Sequence, residues 1–325
     1  MALRSNSGIG CPLVLACDGG YAMPLATTLR SIAEANRSWW PLEVYILSDG
    51  FSEVTKKKVE DSLPKGSCSI EWLPVDLTPF AGFSTIKHIS TATYARLLIP
   101  RMLPDNIHLA LYLDSDILVL HDLARVRELD LGGAALGAIL DVRLDRHIKT
   151  SEASIADLPR VRDYFNAAVL LIDVTRWRAE RICEKALEYL EQNPHSPYSD
   201  QDALNVACDG LWKKMDAWWN CYQIDLEKPL SELSPAGRPG IVHFHGNLKP
   251  WDAKSLNVNA GFYDRFRART LFARTPAEKL RDAPFLIWSR IKRVLKRSSL
   301  LSSLHNHLRP RQSPDGPDAG RRLST

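Results

Sequence analysis

Asp114-Ser115-Asp116 sets two carboxylates two residues apart directly after the apolar run Leu109-Ala110-Leu111-Tyr112-Leu113. At the end of a buried strand both acids can turn toward one divalent cation, and oxygen ligands suit Mg²⁺ or Mn²⁺, ions that also hold substrate phosphates. A bare D-x-D occurs in solvated turns too, and the apolar run in front of it is what argues for a buried role. Late in the chain, His243-Phe244-His245-Gly246-Asn247-Leu248-Lys249-Pro250-Trp251 offers further groups. An imidazole could complete a metal site, Gly246 lets backbone N–H groups approach a phosphate, and Lys249 supplies a compact positive charge. The competing explanation is a pair of hydrogen-bonded structural histidines at a strand end.

Two more segments carry side chains of the same kind. In Tyr198-Ser199-Asp200-Gln201-Asp202-Ala203-Leu204-Asn205, Ser199 or Asp200 can cap a helix, which accounts for acids in its first turn but not for Gln201. In His88-Ile89-Ser90-Thr91-Ala92-Thr93-Tyr94-Ala95-Arg96-Leu97, the hydroxyl-rich run opens a helix that carries Arg96, either at a site or as an ordinary surface arginine.

The elements that must position these residues alternate. Residues 12–18 read as a buried strand ending at Asp18-Gly19-Gly20, 24–37 as a helix, 42–49 as a strand, 56–63 as a helix and 69–76 as a third strand. Further strands are expected at 109–113, at 134–141 ending on Asp141, at 167–174 entered through Asn166, and at 241–244. Helices are expected at 176–192 and 200–208. Such alternation predicts an α/β fold around a mixed, mostly parallel sheet, with ligands at the carboxyl ends of strands, where Asp18 and Asp49 are candidates by position.

With 325 residues and 45% hydrophobic content, the chain can bury one large core or two modest ones. The six cysteines form no C-x-x-C pair and no zinc-like Cys/His spacing, which predicts reduced structural thiols. MALRSNSGIG lacks the apolar stretch of a secretory signal and no run approaches a bilayer span, so cytoplasmic residence is expected. The net charge of +4 is uneven: residues 285–325 hold nine Lys/Arg against Asp315 and Asp318, a local +7 that leaves −3 on the body. That distribution argues against nucleic acid as a partner of the body and for an anionic partner of the tail. Ile287, Trp288, Ile291, Val294 and Leu295 recur at helical spacing among Arg290, Lys292, Arg293, Lys296 and Arg297, as a peripheral helix on an anionic membrane surface requires. The expected division is a domain over 1–275 and a basic amphipathic, partly disordered tail over 276–325.

Together with Ala16-Cys17-Asp18-Gly19-Gly20-Tyr21 and Tyr164-Phe165-Asn166-Ala167-Ala168-Val169, the four segments resemble retaining glycosyltransferase family 8. Within it, the likeness is to bacterial lipopolysaccharide and lipooligosaccharide galactosyl- and glucosyltransferases, with the motifs in the same order from about residue 12 to about residue 252. The resemblance implies a single A-type glycosyltransferase domain with a Rossmann-like sheet. It implies transfer of glucose or galactose from a UDP-sugar to a saccharide, lipopolysaccharide or another glycolipid among them, with an α-linked product. It further implies Asp114, Asp116 and His243 as ligands of Mn²⁺ (or Mg²⁺), with Ser115 beside the donor. Ala16, Asp18 and Tyr21 would form the uridine pocket, and Gly246 and Lys249 would contact the diphosphate. Arg96, Asp141, Asn166, Asp200 and Gln201 would surround the hexose, with Gln201 and Asp200 as the catalytic pair. The family often has Asn where Gly20 stands, His245 occupies a variable position, and Gly19-Gly20 predicts a looser turn than usual. A self-glucosylating primer of the glycogenin type shares much of this motif set. A D-x-D phosphatase or phosphotransferase with Asp114 as nucleophile lacks the Thr or Val it needs after Asp116 and leaves HFHGNLKPW without a role.

Overall fold

The computed structural model describes residues 10–83, 90–150, 158–252 and 257–297. Among these residues ten strands form in chain order: β1 (Leu13–Asp18), β2 (Leu42–Asp49), β3 (Cys68–Pro74), β4 (Leu109–Leu113), β5 (Ile117–Val119), β6 (Leu136–Leu140), β7 (Phe165–Asp173), β8 (Trp212–Lys214), β9 (Cys221–Tyr222) and β10 (Ile241–His243). A seven-stranded sheet runs β3-β2-β1-β4-β7-β6-β8, and a small one runs β5-β10-β9. In the large sheet β3, β2, β1 and β4 are parallel, β7 is antiparallel to both β4 and β6, and β8 is parallel to β6. The mixed, mostly parallel sheet is the one expected.

Its central strands β1, β4 and β7 read as nearly continuous apolar runs because both faces are covered. Val14, Tyr45 and Tyr112 enter one core cluster, while Leu13, Leu15, Ile46 and Leu111 enter another on the opposite face. From β1 the chain winds outward through β2 to β3, then returns to place β4 on the other side of β1. That reversal opens a crevice at the carboxyl ends of β1 and β4, where open α/β sheets bind ligands.

Several boundaries differ from expectation for identifiable reasons. The helix expected at 56–63 is Glu53–Glu60, because the Ser52 side chain accepts from the Thr55 N–H and starts it a turn earlier. The helix expected at 176–192 is two helices, Val174–Ala179 and Ile182–Gln192, separated where Arg181 takes left-handed backbone at φ 55°. β7 begins at Phe165, so Asn166 lies within the strand rather than ahead of it. The six cysteines are free. The contact pattern divides the chain into Met1–Arg274 and Thr275–Thr325, the second unit carrying a helix over Pro276–Arg297. Among the described residues no helix is long and apolar enough to cross a membrane.

Candidate functional site

The loop between β4 and β5 carries Asp114-Ser115-Asp116 and is fixed from beneath by the first helix, Ala22–Ala35. Thr28 Oγ1 lies 2.9 and 2.8 Å from the carbonyl oxygens of Ser115 and Ile117, and the Val119 N–H donates to Ser31 Oγ at 3.0 Å. β10 then pairs antiparallel with β5 with His243 opposite Ile117, and the Phe244 N–H donates to the Asp116 carbonyl. The small sheet therefore delivers a late histidine to the acidic loop. A cavity of about 450 Å³ opens there. Ala16, Asp18, Tyr21, Arg96, Asp114, Ser115, Asp116, Asn166, Asp200, Gln201, His243, Gly246 and Lys249 all line it.

Asp114, Asp116 and His243 each offer a ligand atom within 4.8 Å of the others. His243 Nε2 stands 3.4 Å from Asp116 Oδ1, and that buried oxygen accepts no hydrogen bond. The other oxygen, Asp116 Oδ2, accepts from Lys249 Nζ, which also donates to the Phe244 carbonyl at 2.9 Å. Burial alone would raise the Asp116 carboxyl, but the Lys249 ammonium, joined by His243 when the imidazole is protonated, outweighs it and holds it well below the usual carboxylate range. Four lining carboxylates, Asp18, Asp114, Asp116 and Asp200, face only Arg96 and Lys249, an excess of negative charge that a divalent cation would balance. An unsatisfied carboxylate oxygen beside an imidazole nitrogen is also the donor set such an ion takes. The residues fit it.

Across the cavity, Ser90 caps the short helix Thr91–Leu98 by accepting the Ala92 N–H, and this helix buries Arg96. Arg96 Nε is 2.9 Å from Asp200 Oδ2, its Nη2 is 3.2 Å from Asp114 Oδ1, and its Nη1 donates to the Ala167 carbonyl at 2.7 Å. The Nε–H itself is directed at the Thr93 carbonyl at 3.1 Å, so Asp200 Oδ2 has a cation beside it but no aligned hydrogen bond. Burial pushes the Asp200 carboxyl up to about 6, with Arg96 and the Thr93 hydroxyl only partly opposing it. Ser199 sits at φ 51° and makes no side-chain cap, and the Asp200 carboxylate accepts from Thr93 Oγ1 at 2.8 Å, so capping does not explain this segment. Gln201 Oε1 accepts from Asn166 Nδ2 at 2.9 Å and from the Ala167 N–H at 3.0 Å.

Asp141, which the resemblance sets beside the hexose, does not line the cavity. Its carboxylate is buried, accepting from the Tyr222 hydroxyl at 2.9 Å and from the Leu144 N–H at 3.2 Å. Tyr222 in turn stacks on His245, which does line the cavity. Asp49, a candidate by position, pairs in register with Asp18 on the neighbouring strand but does not line the cavity. His88 and Ile89 lie outside the described residues. The Gly19-Gly20 turn is tight rather than loose, since a Cβ on Gly19 would meet the Gly50 carbonyl oxygen at 2.6 Å. Sequence reasoning missed Tyr112, whose hydroxyl donates to Asp114 Oδ1 at 2.6 Å, and Asn220, which contacts both Asn166 and His243. Alternation along the β4 strand places Tyr112 on the same side as Asp114 and could have found the first. No spacing signals Asn220.

A family model described as "Glycosyl transferase family 8" matches residues 12–255. The chain is 30% identical over 252 residues to "Glycosyltransferase GlyF" of Streptococcus pneumoniae, covering 75% of this chain and 58% of that protein. It is 27% identical over 240 residues to "Lipopolysaccharide 1,3-galactosyltransferase" of Salmonella typhimurium, covering 72% of this chain and 71% of that one. The solved structure of galactosyltransferase LgtC in complex with donor and acceptor sugar analogs superposes with a TM-score of 0.70 at 28% identity, covering 83% of this chain and 99% of that chain.

Proposed function

Because this chain belongs to glycosyl transferase family 8, we propose that it moves glucose or galactose from a UDP-sugar to the saccharide of a lipopolysaccharide or another glycolipid, with retention at the anomeric carbon. The observation that carries this reading is Asp116 Oδ1, buried without a hydrogen bond and facing His243 Nε2 across 3.4 Å. Asp114, Asp116 and His243 would hold one Mn²⁺ or Mg²⁺, and the imidazole favours Mn²⁺ over the harder Mg²⁺. When bound, that ion supplies Lewis-acid stabilisation of the departing diphosphate.

The chain's own residues do the rest. Lys249 presents its ammonium toward the same phosphate charge, and Gly246, at φ 78°, leaves the loop backbone open to a close approach. Asp18, Tyr21 and Ala16 flank the uridine. The bond from the anomeric carbon to the diphosphate oxygen breaks with its electron pair leaving on UDP. The acceptor hydroxyl oxygen bonds that carbon from the same face, and its proton passes to the departing phosphate. Positive charge gathers on the sugar in between. Asp200 is better placed than Gln201 to meet it, because Gln201 Oε1 is already shared by two N–H donors while Asp200 Oδ2 has no aligned donor. Gln201 keeps the wall beneath the sugar in shape. Residues 1–275 would carry this chemistry. The basic helix and tail over 276–325 would rest on the anionic cytoplasmic face of a membrane and hold the enzyme near a lipid-linked acceptor.

A screen of UDP-hexoses for UDP release, with Mn²⁺ and with EDTA, tests the reading. Release from UDP-glucose or UDP-galactose that stops in EDTA is expected, with an α-linked product by NMR. Full activity in EDTA would remove the ion, and a β-linked product would remove retention.

A further inference from the structure

Asn220 stands immediately before β9 and is only 5% exposed. Its side-chain amide bridges two residues of the cavity, with Nδ2 2.7 Å from Asn166 Oδ1 and Oδ1 3.0 Å from His243 Nδ1. Backbone donors decide which way round the amides stand. The Ala168 N–H can only donate, and it lies 3.1 Å from Asn166 Oδ1. The Ala167 N–H likewise lies 3.0 Å from Gln201 Oε1. With the Asn166 oxygen fixed, its nitrogen donates to Gln201 Oε1, and Asn220 must turn its own nitrogen to Asn166 Oδ1. The remaining Asn220 oxygen can only accept, so His243 Nδ1 carries the hydrogen. A neutral His243 then keeps its lone pair on Nε2, the atom that faces Asp116 Oδ1.

We propose that Asn220 is a positioning residue that holds His243 in the tautomer with Nε2 bare and aimed at the ion, and that Asn166 and Gln201 lock its orientation. The wall under the donor sugar and the imidazole ligand thus become one hydrogen-bonded unit, anchored on the β7 backbone at Ala167 and Ala168. A partner on the far nitrogen of a metal-binding imidazole sets its tautomer and raises its basicity, and removing such partners weakens metal affinity. The inference rests on the ion reading above.

The test uses the full chain and Mn²⁺ alone. Asn220→Leu keeps the size and removes both hydrogen bonds, whereas Asn220→Asp keeps an acceptor for His243 and loses the donor to Asn166. By titration calorimetry, with the thermal midpoint recorded for each, Asn220→Leu is expected to bind Mn²⁺ about 10- to 100-fold more weakly and Asn220→Asp to stay within about threefold of the parent. Unchanged affinity in a folded Asn220→Leu, or a loss in Asn220→Asp equal to that in Asn220→Leu, would overturn the proposal. A second readout needs neither variant. Two-bond ¹H–¹⁵N correlation of the imidazoles in slightly alkaline, metal-free buffer, with His243 assigned through His243→Gln, should show the Nδ1–H form at His243. An Nε2–H form overturns the proposal even if Asn220→Leu does not fold. If the parent shows no Mn²⁺ binding that Asp116→Asn abolishes, the ion reading fails, and the tautomer spectrum still decides the role of Asn220.

Discussion

The two walls of the cavity are built from different chemistry. Around Asp114–Asp116 the backbone is clamped by helix hydroxyls, the side chains are charged, and one carboxylate oxygen is left without a hydrogen bond. Along Asn166, Gln201 and Asn220 the groups are neutral amides linked to one another and to β7. The charged wall holds unspent electrostatic attraction for a ligand, while the amide wall holds geometry. Substitutions should therefore fail in different ways on the two sides: in ligand capture on the first, and in turnover at unchanged nucleotide affinity on the second, Asn220 excepted because its amide also holds His243.

The sharpest separation is expected from Asp116→Asn, which removes one anion where the ligand charge is highest. It should lower kcat/KM about a thousandfold, equivalent to ~4 kcal/mol of transition-state stabilisation, without lowering the thermal midpoint. An Asp116→Asn enzyme within tenfold of the parent would erase the distinction between the walls. Asp200 stands between them, and Asp200→Asn should cost about a hundredfold in kcat. Its carboxyl is pushed up to about 6, and the groups facing it are Arg96, Thr93 and Asp114. Only the ionised form can stabilise a positive sugar. Turnover of the parent should thus fall as pH drops through about 6, and the Asp200→Asn profile should be flat across that window. A parent profile without that acid limb would show that the Asp200 charge is not used.

Gln201→Ala should cost about tenfold in kcat while UDP affinity by calorimetry is unchanged, since the loss is one of positioning under the sugar. A matching loss of UDP affinity would mean that the amide wall binds nucleotide after all. The smallest effect on turnover is expected from a truncation ending at Ala283, which should leave rates on a soluble acceptor unchanged and abolish binding to anionic vesicles. In the full chain that binding should weaken with salt, each basic residue near the surface contributing ~1 kcal/mol. Vesicle binding that survives the truncation would dismiss the tail.

The charged wall was far more legible in the sequence than the amide wall. β2 falls at Leu42–Asp49 as expected, because eight residues with an apolar centre and turn residues on either side have few alternatives. The acids after β4 and the His243–Lys249 segment are chemistry by type, so their convergence could be anticipated from residues alone. Asn220 could not, since an asparagine after two tryptophans gives no periodicity, and only β9 lying beside β10 brings it to His243. Asp141 shows the opposite case. It ends a buried strand as a ligand-facing acid should, but the Tyr222 hydroxyl, distant in sequence, claims its carboxylate. The break at Arg181 was hidden because helical spacing continues through it.

The pairing of β10 with β5 has a consequence for biosynthesis. The two acids of the β4–β5 loop are translated long before the imidazole and the ammonium that face them, His243 arriving on β10 and Lys249 in the loop that follows it. A nascent chain that has not yet placed β10 lacks the two partners nearest Asp116, and burying that carboxylate without them strongly disfavours the folded state. Pairing of β10 with β5 and assembly of the Asp114, Asp116 and His243 cluster are therefore one event, so that the small sheet sets the order in which the charges of the cavity are brought together.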